Sequence, residues 1–159
     1  MIIPEEKKVY FTSDNHLGAP TKEASKTREA IFVKWLDEIK EDAAAIFLLG
    51  DLFDFWFEYK HAVPKGFVRV LGKLAELKDS GIPIYFFIGN HDLWMENYFE
   101  EELNIPTYRK PQEFEFNGKN FLIGHGDGLG PGDYGYKRMK KVFTNPFAKW
   151  LYRWLHPDI

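Results

Sequence analysis

Four short apolar runs, at 8–13, 44–49, 82–88 and 120–124, narrow the folds open to this sequence. A strand with one face in water alternates apolar and polar residues, whereas a strand covered on both faces is apolar at consecutive positions. These runs are of the second kind, so they predict a sheet sandwiched between two layers. All four end alike, with Gly or Ser and then Asp, Asn or His: "TSDNHLG" (12–18), "LLGDLFD" (48–54), "FIGNHD" (87–92) and "LIGHGD" (122–127).

Helical patterns lie between the runs. In 23–41, Ile31, Trp35 and Ile39 recur at i, i+4, i+8 beside Phe32 and Leu36; in 67–79, Phe67, Val70, Leu71, Leu74 and Leu77 make one apolar face, closed by Ser80-Gly81. A third helix is expected over 93–103, with Asp92 as its N-cap. Phe114 and Phe116 alternate with Glu113 and Glu115 ahead of Asn117-Gly118, a two-residue hairpin signal. The order predicts an α/β layered fold with a mixed sheet flanked by helices, in a single domain over 1–159.

The chain has no cysteine, which removes disulfides and thiolate metal sites and leaves His, Asp, Asn and Glu as ligands. A net charge of −3 argues against a surface built for nucleic acid. Charge is unevenly spread, because 134–157 carries six basic groups and no acidic one. The N-terminus lacks a signal-peptide apolar stretch, and a cytoplasmic location is expected.

In open α/β sheets, parallel strands deliver their following loops to one side, so functional crevices form beyond the carboxyl ends of the strands. Asp14, His16, Asp51, Asn90, His91 and His125 are therefore expected to converge. Taken singly, Asp14 is explained as a cap, Asp51 as a turn residue and His125 as a core histidine. Their recurrence at four strand ends favours a shared site. Clustered carboxylates repel and desolvate at a cost of several kcal/mol per buried ion, and a divalent cation offsets this. The donor set suits Mn, Fe, Zn or Mg. Two ions about 3.5–4 Å apart, bridged by an Asp, suit phosphoester or phosphoanhydride hydrolysis.

The series Asp14-x-His16, Gly50-Asp51-x-x-Asp54, Gly89-Asn90-His91-Asp92 and Gly124-His125-Gly126-Asp127 resembles the ordered motifs of the calcineurin-like metallophosphoesterases. The wording "SDNHLG", "LGDLFDFW", "GNHD" and "HGDGLGPGDYGYK" is similar to the branch of pyrophosphohydrolases that acts on UDP-2,3-diacylglucosamine in lipid A synthesis. The resemblance implies that Asp14 and His16 bind a first metal, Asp51 bridges, and Asn90 and His125 bind the second. It also implies that His91 contacts the scissile phosphate, with Asp54 orienting its ring. Asp133, Tyr134 and Tyr136 are implied to contact the substrate sugar, and the implied products are UMP and the diacylglucosamine 1-phosphate. Other calcineurin-like phosphodiesterases, nucleotide phosphatases and a non-catalytic metal- or lipid-binding fragment stay open as alternatives.

Members of this family end their motif series with Gly-His-x-His, which these 159 residues do not contain. The resemblance therefore implies the N-terminal portion of a longer protein, with self-association through an incomplete sheet edge. In "FAKWLYRWL" (147–155), Phe147, Trp150, Leu151, Trp154 and Leu155 share one helical face, with Lys149 and Arg153 off it. Within the basic, aromatic segment 134–159, this helix is expected to pack on the core with a solvated basic edge, or to meet an anionic membrane surface. The second alternative makes the protein peripheral to the inner membrane.

Overall fold

The computed structural model describes residues 1–127 and 134–155. Four strands, β1 (Lys8–Thr12), β2 (Ala43–Leu48), β3 (Ile84–Phe87) and β4 (Thr107–Tyr108), form an all-parallel sheet in the order β1-β2-β3-β4. The crossovers carry α1 (Lys22–Ile39), α2 (Val68–Asp79) and the short α3 (Tyr98–Leu103). Every strand thus ends on the same side of the sheet, which is the condition the site requires.

Alternate residues of β2 and β3 serve two cores. Ile46, Leu48, Ile84 and Phe86 face the helices and pack with Phe32, Leu36, Val70, Leu74 and Phe99. Phe47 and Phe87 face the other way and meet Phe116 and Ile123. These last two belong to a hairpin, β5 (Gln112–Phe116) and β6 (Lys119–Ile123), turned by Asn117 and Gly118, both at positive φ as a type I′ turn requires. The antiparallel pair is a separate two-stranded ribbon lying on the sheet and does not extend it. Phe114 and Phe116 act as the lid over the second face, with ring centroids 4.9 and 5.8 Å from that of Phe47.

Two expectations about the helices are revised. The buried stripe of α1 is Ser25, Glu29, Phe32, Leu36 and Ile39, while Ile31 is 65% exposed. The stripe's N-terminal part is polar because it serves loops: Ser25 Oγ accepts from Gly18 N, and Glu29 Oε1 accepts from Val70 N at the start of α2. Helix α3 begins at Tyr98, not 93. The buried Glu58 carboxylate accepts from the backbone N–H groups of Glu96, Asn97 and Tyr98 and from Trp56 Nε1, giving the segment an alternative to helical hydrogen bonds.

Helices α4 (Tyr134–Phe143) and α5 (Pro146–Arg153) follow. Asn145 caps α5, its side chain accepting from Phe147 N at 2.8 Å. This helix docks by its polar edge: Lys149 pairs with Glu96 at 3.0 Å, and the Tyr152 ring lies 4.6 Å from Trp94 and 4.7 Å from Phe57. Its apolar face, with Phe147, Trp150, Leu151 and Trp154, is exposed. The expected solvated basic edge is therefore reversed. Among the described residues, no helix is long and apolar enough to cross a membrane.

Candidate metal centre

Past the end of the β1–β2 pair, the two chains continue side by side. Asp14 N donates to Gly50 O at 3.1 Å, His16 N to Asp51 O at 2.9 Å and Leu17 N to Leu52 O at 2.9 Å. Asp14, His16 and Asp51 adopt left-handed backbone, with φ of 55°, 44° and 53°. Such conformations are uncommon for these residue types and persist where surrounding structure imposes them. Here they turn three side chains toward one crevice.

Asp51 is the hub. It is 2% exposed, and its two oxygens are divided in use. Oδ1 accepts from His91 N at 2.9 Å, and Oδ2 lies 3.8 Å from His16 Nε2 and 3.6 Å from His125 Nε2. Asp14 Oδ1 is 3.8 Å from the same His16 nitrogen, and Asn90 Oδ1 is 3.2 Å from His125 Nε2. Two groups of donors thus share Asp51 Oδ2. Ligand bonds of about 2.0–2.2 Å leave donor atoms on one ion roughly 3–4 Å apart, so this spacing suits coordination better than direct hydrogen bonding.

The histidine tautomers support the same reading. His125 Nδ1 sits 2.6 Å from Leu49 O, which can only accept, so Nδ1 carries the proton and Nε2 offers a lone pair in the neutral ring. His91 Nδ1 likewise donates to the backbone carbonyl of Asp54 at 2.9 Å. The Asp54 carboxylate lies between two rings, 3.5 Å from His91 Nδ1 and 3.4 Å from His16 Nδ1. The two rings meet edge to face at 4.5 Å. Asp14, His16 and Asp51 form one group able to hold a metal ion, and His16, Asp54 and His91 form another.

The loops approach so closely that side chains do not fit between them. A Cβ on Gly89 would lie 2.1 Å from Asp51 Oδ1, and one on Gly50 would lie 2.7 Å from His125 Nδ1. Asp92 is not a helix cap. Fully buried, it accepts from Gly89 N at 2.6 Å and Leu52 N at 3.1 Å, fastening the β3 loop to the β2 loop. Burial pushes its carboxyl up to about 7, opposed by the Gly89 hydrogen bond and aided by the Asp51 charge.

Asp127 accepts from Lys140 Nζ at 2.5 Å and so ties the β6 loop to α4. Tyr134 opens α4 and is exposed; Asp133 and the side chain of Tyr136 lie outside the described residues, as does His156. Two cavities flank the centre. One, of about 170 Å³, runs between Asp54, Asn90 and His91 and the aromatic wall of Phe55, Trp94 and Phe143. The other, of about 200 Å³, is lined by Tyr108, Arg109, Lys110, His125 and Lys140.

The family model for calcineurin-like phosphoesterases matches residues 7–157. The chain belongs to the calcineurin-like phosphoesterase family. That membership implies divalent metal ions, and the donor atoms around Asp51 fit them. Within the family, the chain is 43% identical over 155 residues to the UDP-2,3-diacylglucosamine hydrolase of Porphyromonas gingivalis, covering 94% of this chain and 58% of that protein. It is 32% identical over 146 residues to the one from Actinobacillus succinogenes, covering 92% and 60%. The chain thus spans about three-fifths of the length of these curated relatives. The fold is similar to that of a protein of unknown function from Aquifex aeolicus, with a TM-score of 0.51 at 17% identity over 85% of this chain and 71% of the other.

Sequence reasoning missed Asp92 as the fastener of two site loops, and missed altogether Ser25, Glu58 and Arg28, whose Nη1 lies within hydrogen-bond distance of the Asn15, His16 and Ala19 carbonyls. For Asp92, the signal was its place in the GNHD motif directly beside two site residues. For the other three there was none, since polar residues on helices and loops read as solvated.

Proposed function

We propose that the protein hydrolyses the phosphoanhydride of UDP-2,3-diacylglucosamine, giving UMP and 2,3-diacylglucosamine 1-phosphate. The observation that carries this reading is the shared Asp51 Oδ2 between His16 and His125, joined to the names of the relatives. Asp14 and His16 would hold a first ion, Asn90 and His125 a second, with Asp51 common to both; Mn is our choice, with Fe, Zn and Mg as alternatives. When bound, such ions polarise a phosphoryl oxygen and lower the pKa of water. The chain's residues orient these groups. Leu49 O fixes the protonated nitrogen of His125, and Asp54 O fixes Nδ1–H of His91, so that His91 in its doubly protonated form would donate from Nε2 to a phosphoryl oxygen.

The two cavities suit the two halves of such a substrate. The aromatic one leads from His91 to Phe143 at the end of α4 and matches a lipid-bearing sugar. Asp133, Tyr134 and Tyr136, which do not line it among the described residues, stay proposed sugar contacts on the family resemblance alone. The cationic one beside His125 matches a nucleotide. The outward apolar face of α5, with Arg138 and Lys141 exposed nearby on α4, favours contact with an anionic membrane surface. Turnover of the UDP-lipid, read as UMP release, against turnover of bis(p-nitrophenyl) phosphate tests the substrate. UMP release at a far higher kcat/KM supports the reading. Preference for the simple diester assigns the protein to a soluble phosphodiesterase class instead.

A further inference from the structure

Three site residues have left-handed backbone, but they are held differently. Asp51 is enclosed by Gly50, Gly89 and the His91 amide, so its conformation is imposed from all sides. The Asp14–Gly18 loop lies at the surface, with the Asp14 side chain 58% and that of His16 30% exposed. Left-handed backbone at residues other than Gly persists where the surroundings impose it, so something must hold this loop. The N–H groups of Asp14, His16 and Leu17 are taken by the carbonyls of Gly50, Asp51 and Leu52. The carbonyls of Asn15 and His16, with that of Ala19 just beyond the loop, are gathered by one group: Arg28 Nη1 shares its two hydrogens among His16 O at 2.8 Å and Asn15 O and Ala19 O, each at 3.2 Å, while Leu17 O accepts from Asp54 N.

We infer that Arg28 is a positioning residue for the first metal site, holding the loop so that Asp14 and His16 face Asp51. This rests on the metal-centre reading above. The guanidinium fills a cup of three converging carbonyls, a place for a cation with fixed planar donors. Ser25, one turn earlier on α1, completes the clamp by accepting from Gly18 N at 2.7 Å. Beside them Glu29 offers a built-in contrast. It shares the buried helix face of Ser25 but serves the α2 start, through Val70 N, and makes no hydrogen bond to a site loop among the described residues. The second site, Asn90 and His125, hangs from β3 and β6 and makes no hydrogen bond with Arg28 among the described residues. Arg28 therefore acts on one ion and not on the other.

Titration of the purified protein with Mn(II), followed by loss of the free-ion EPR signal, tests this. The wild-type protein is expected to take up two ions. Arg28→Ala is expected to weaken one step by roughly 10–100-fold, the range for partners that orient metal ligands, and to leave the other within about threefold. Arg28→Lys, which keeps a cation for the cup, is expected to recover part of the loss, and Ser25→Ala to lose affinity at the same step; these two carry the test if Arg28→Ala does not fold. Glu29→Gln is expected to lower the melting temperature with no change in either step. Unchanged steps in the Arg28 and Ser25 variants, equal loss at both steps, or an equal loss in Glu29→Gln overturn the positioning role while the metal centre stands. A wild-type protein that takes up no Mn overturns both.

Discussion

At the scale of single residues, the site depends on one carboxylate serving three partners. Asp51 spends Oδ1 on the His91 amide and leaves Oδ2 between His16 and His125. Replacing Asp51 by Asn keeps the shape, removes the charge and puts an amide nitrogen at one of these positions. Calorimetric titration is expected to give an affinity for Mn lowered about tenfold or more at both ions. A loss confined to one ion would assign Asp51 to that ion alone. The residues that converge here were legible because each stands at a strand end, where the chain has little freedom to carry it elsewhere. Asp92 was misread, since a carboxylate before a helical pattern resembles a cap until its burial and its bonds to Gly89 and Leu52 are seen. Arg28 was illegible, because its partners are backbone carbonyls and these leave no trace in side-chain chemistry.

At the scale of elements, consecutive apolar residues marked three of the four parallel strands, and Asn117-Gly118 marked the hairpin. The run at 120–124 instead forms β6 of that antiparallel hairpin, exposed over Lys119–Leu122, and the two-residue β4 has no apolar run to announce it. The hairpin's position as a lid was not written in its alternation, which says that one face is covered but not by what. Phe47 is the contact that joins sheet and lid; it is fully buried and packs against Phe11, Tyr85, Phe114 and Phe116. Phe47→Ala is expected to cost about 3–5 kcal/mol in urea denaturation, in line with other buried Phe truncations. A second test concerns the start of the sheet. Asp42 bonds Lys8 Nζ at 2.6 Å and Tyr10 Oη at 2.7 Å, and those hydrogen bonds hold its carboxyl below the usual carboxylate range. A depressed folded-state pKa contributes stability above the unfolded value, and that contribution is lost as pH falls through the folded one. Asp42→Asn is therefore expected to lower the melting temperature at neutral pH, with the difference from wild type shrinking as pH drops through the carboxylate range.

At the scale of the whole molecule, the parallel sheet brings the loops after β1, β2 and β3 to one rim, the hairpin packed on it adds His125 after β6, and α4 and α5 follow with the apolar face of α5 turned outward. The periodicity of 147–155 gave the face but not its direction, because the decisive contacts are Lys149 to Glu96 and Tyr152 to Trp94, across about fifty residues of chain. Co-sedimentation with anionic vesicles checks the outward face. Wild-type protein is expected to pellet with them, and the double change Trp150→Ser, Trp154→Ser is expected to leave more of it in the supernatant. Equal recovery of the two would remove the membrane contact and leave the metal centre untouched. The most direct test of that centre is anomalous scattering from a crystal soaked in Mn. Two peaks about 3.5–4 Å apart, on either side of Asp51 Oδ2 and within coordination distance of His16 and His125, are predicted; a single peak, or peaks away from Asp51, would contradict the shared-carboxylate centre.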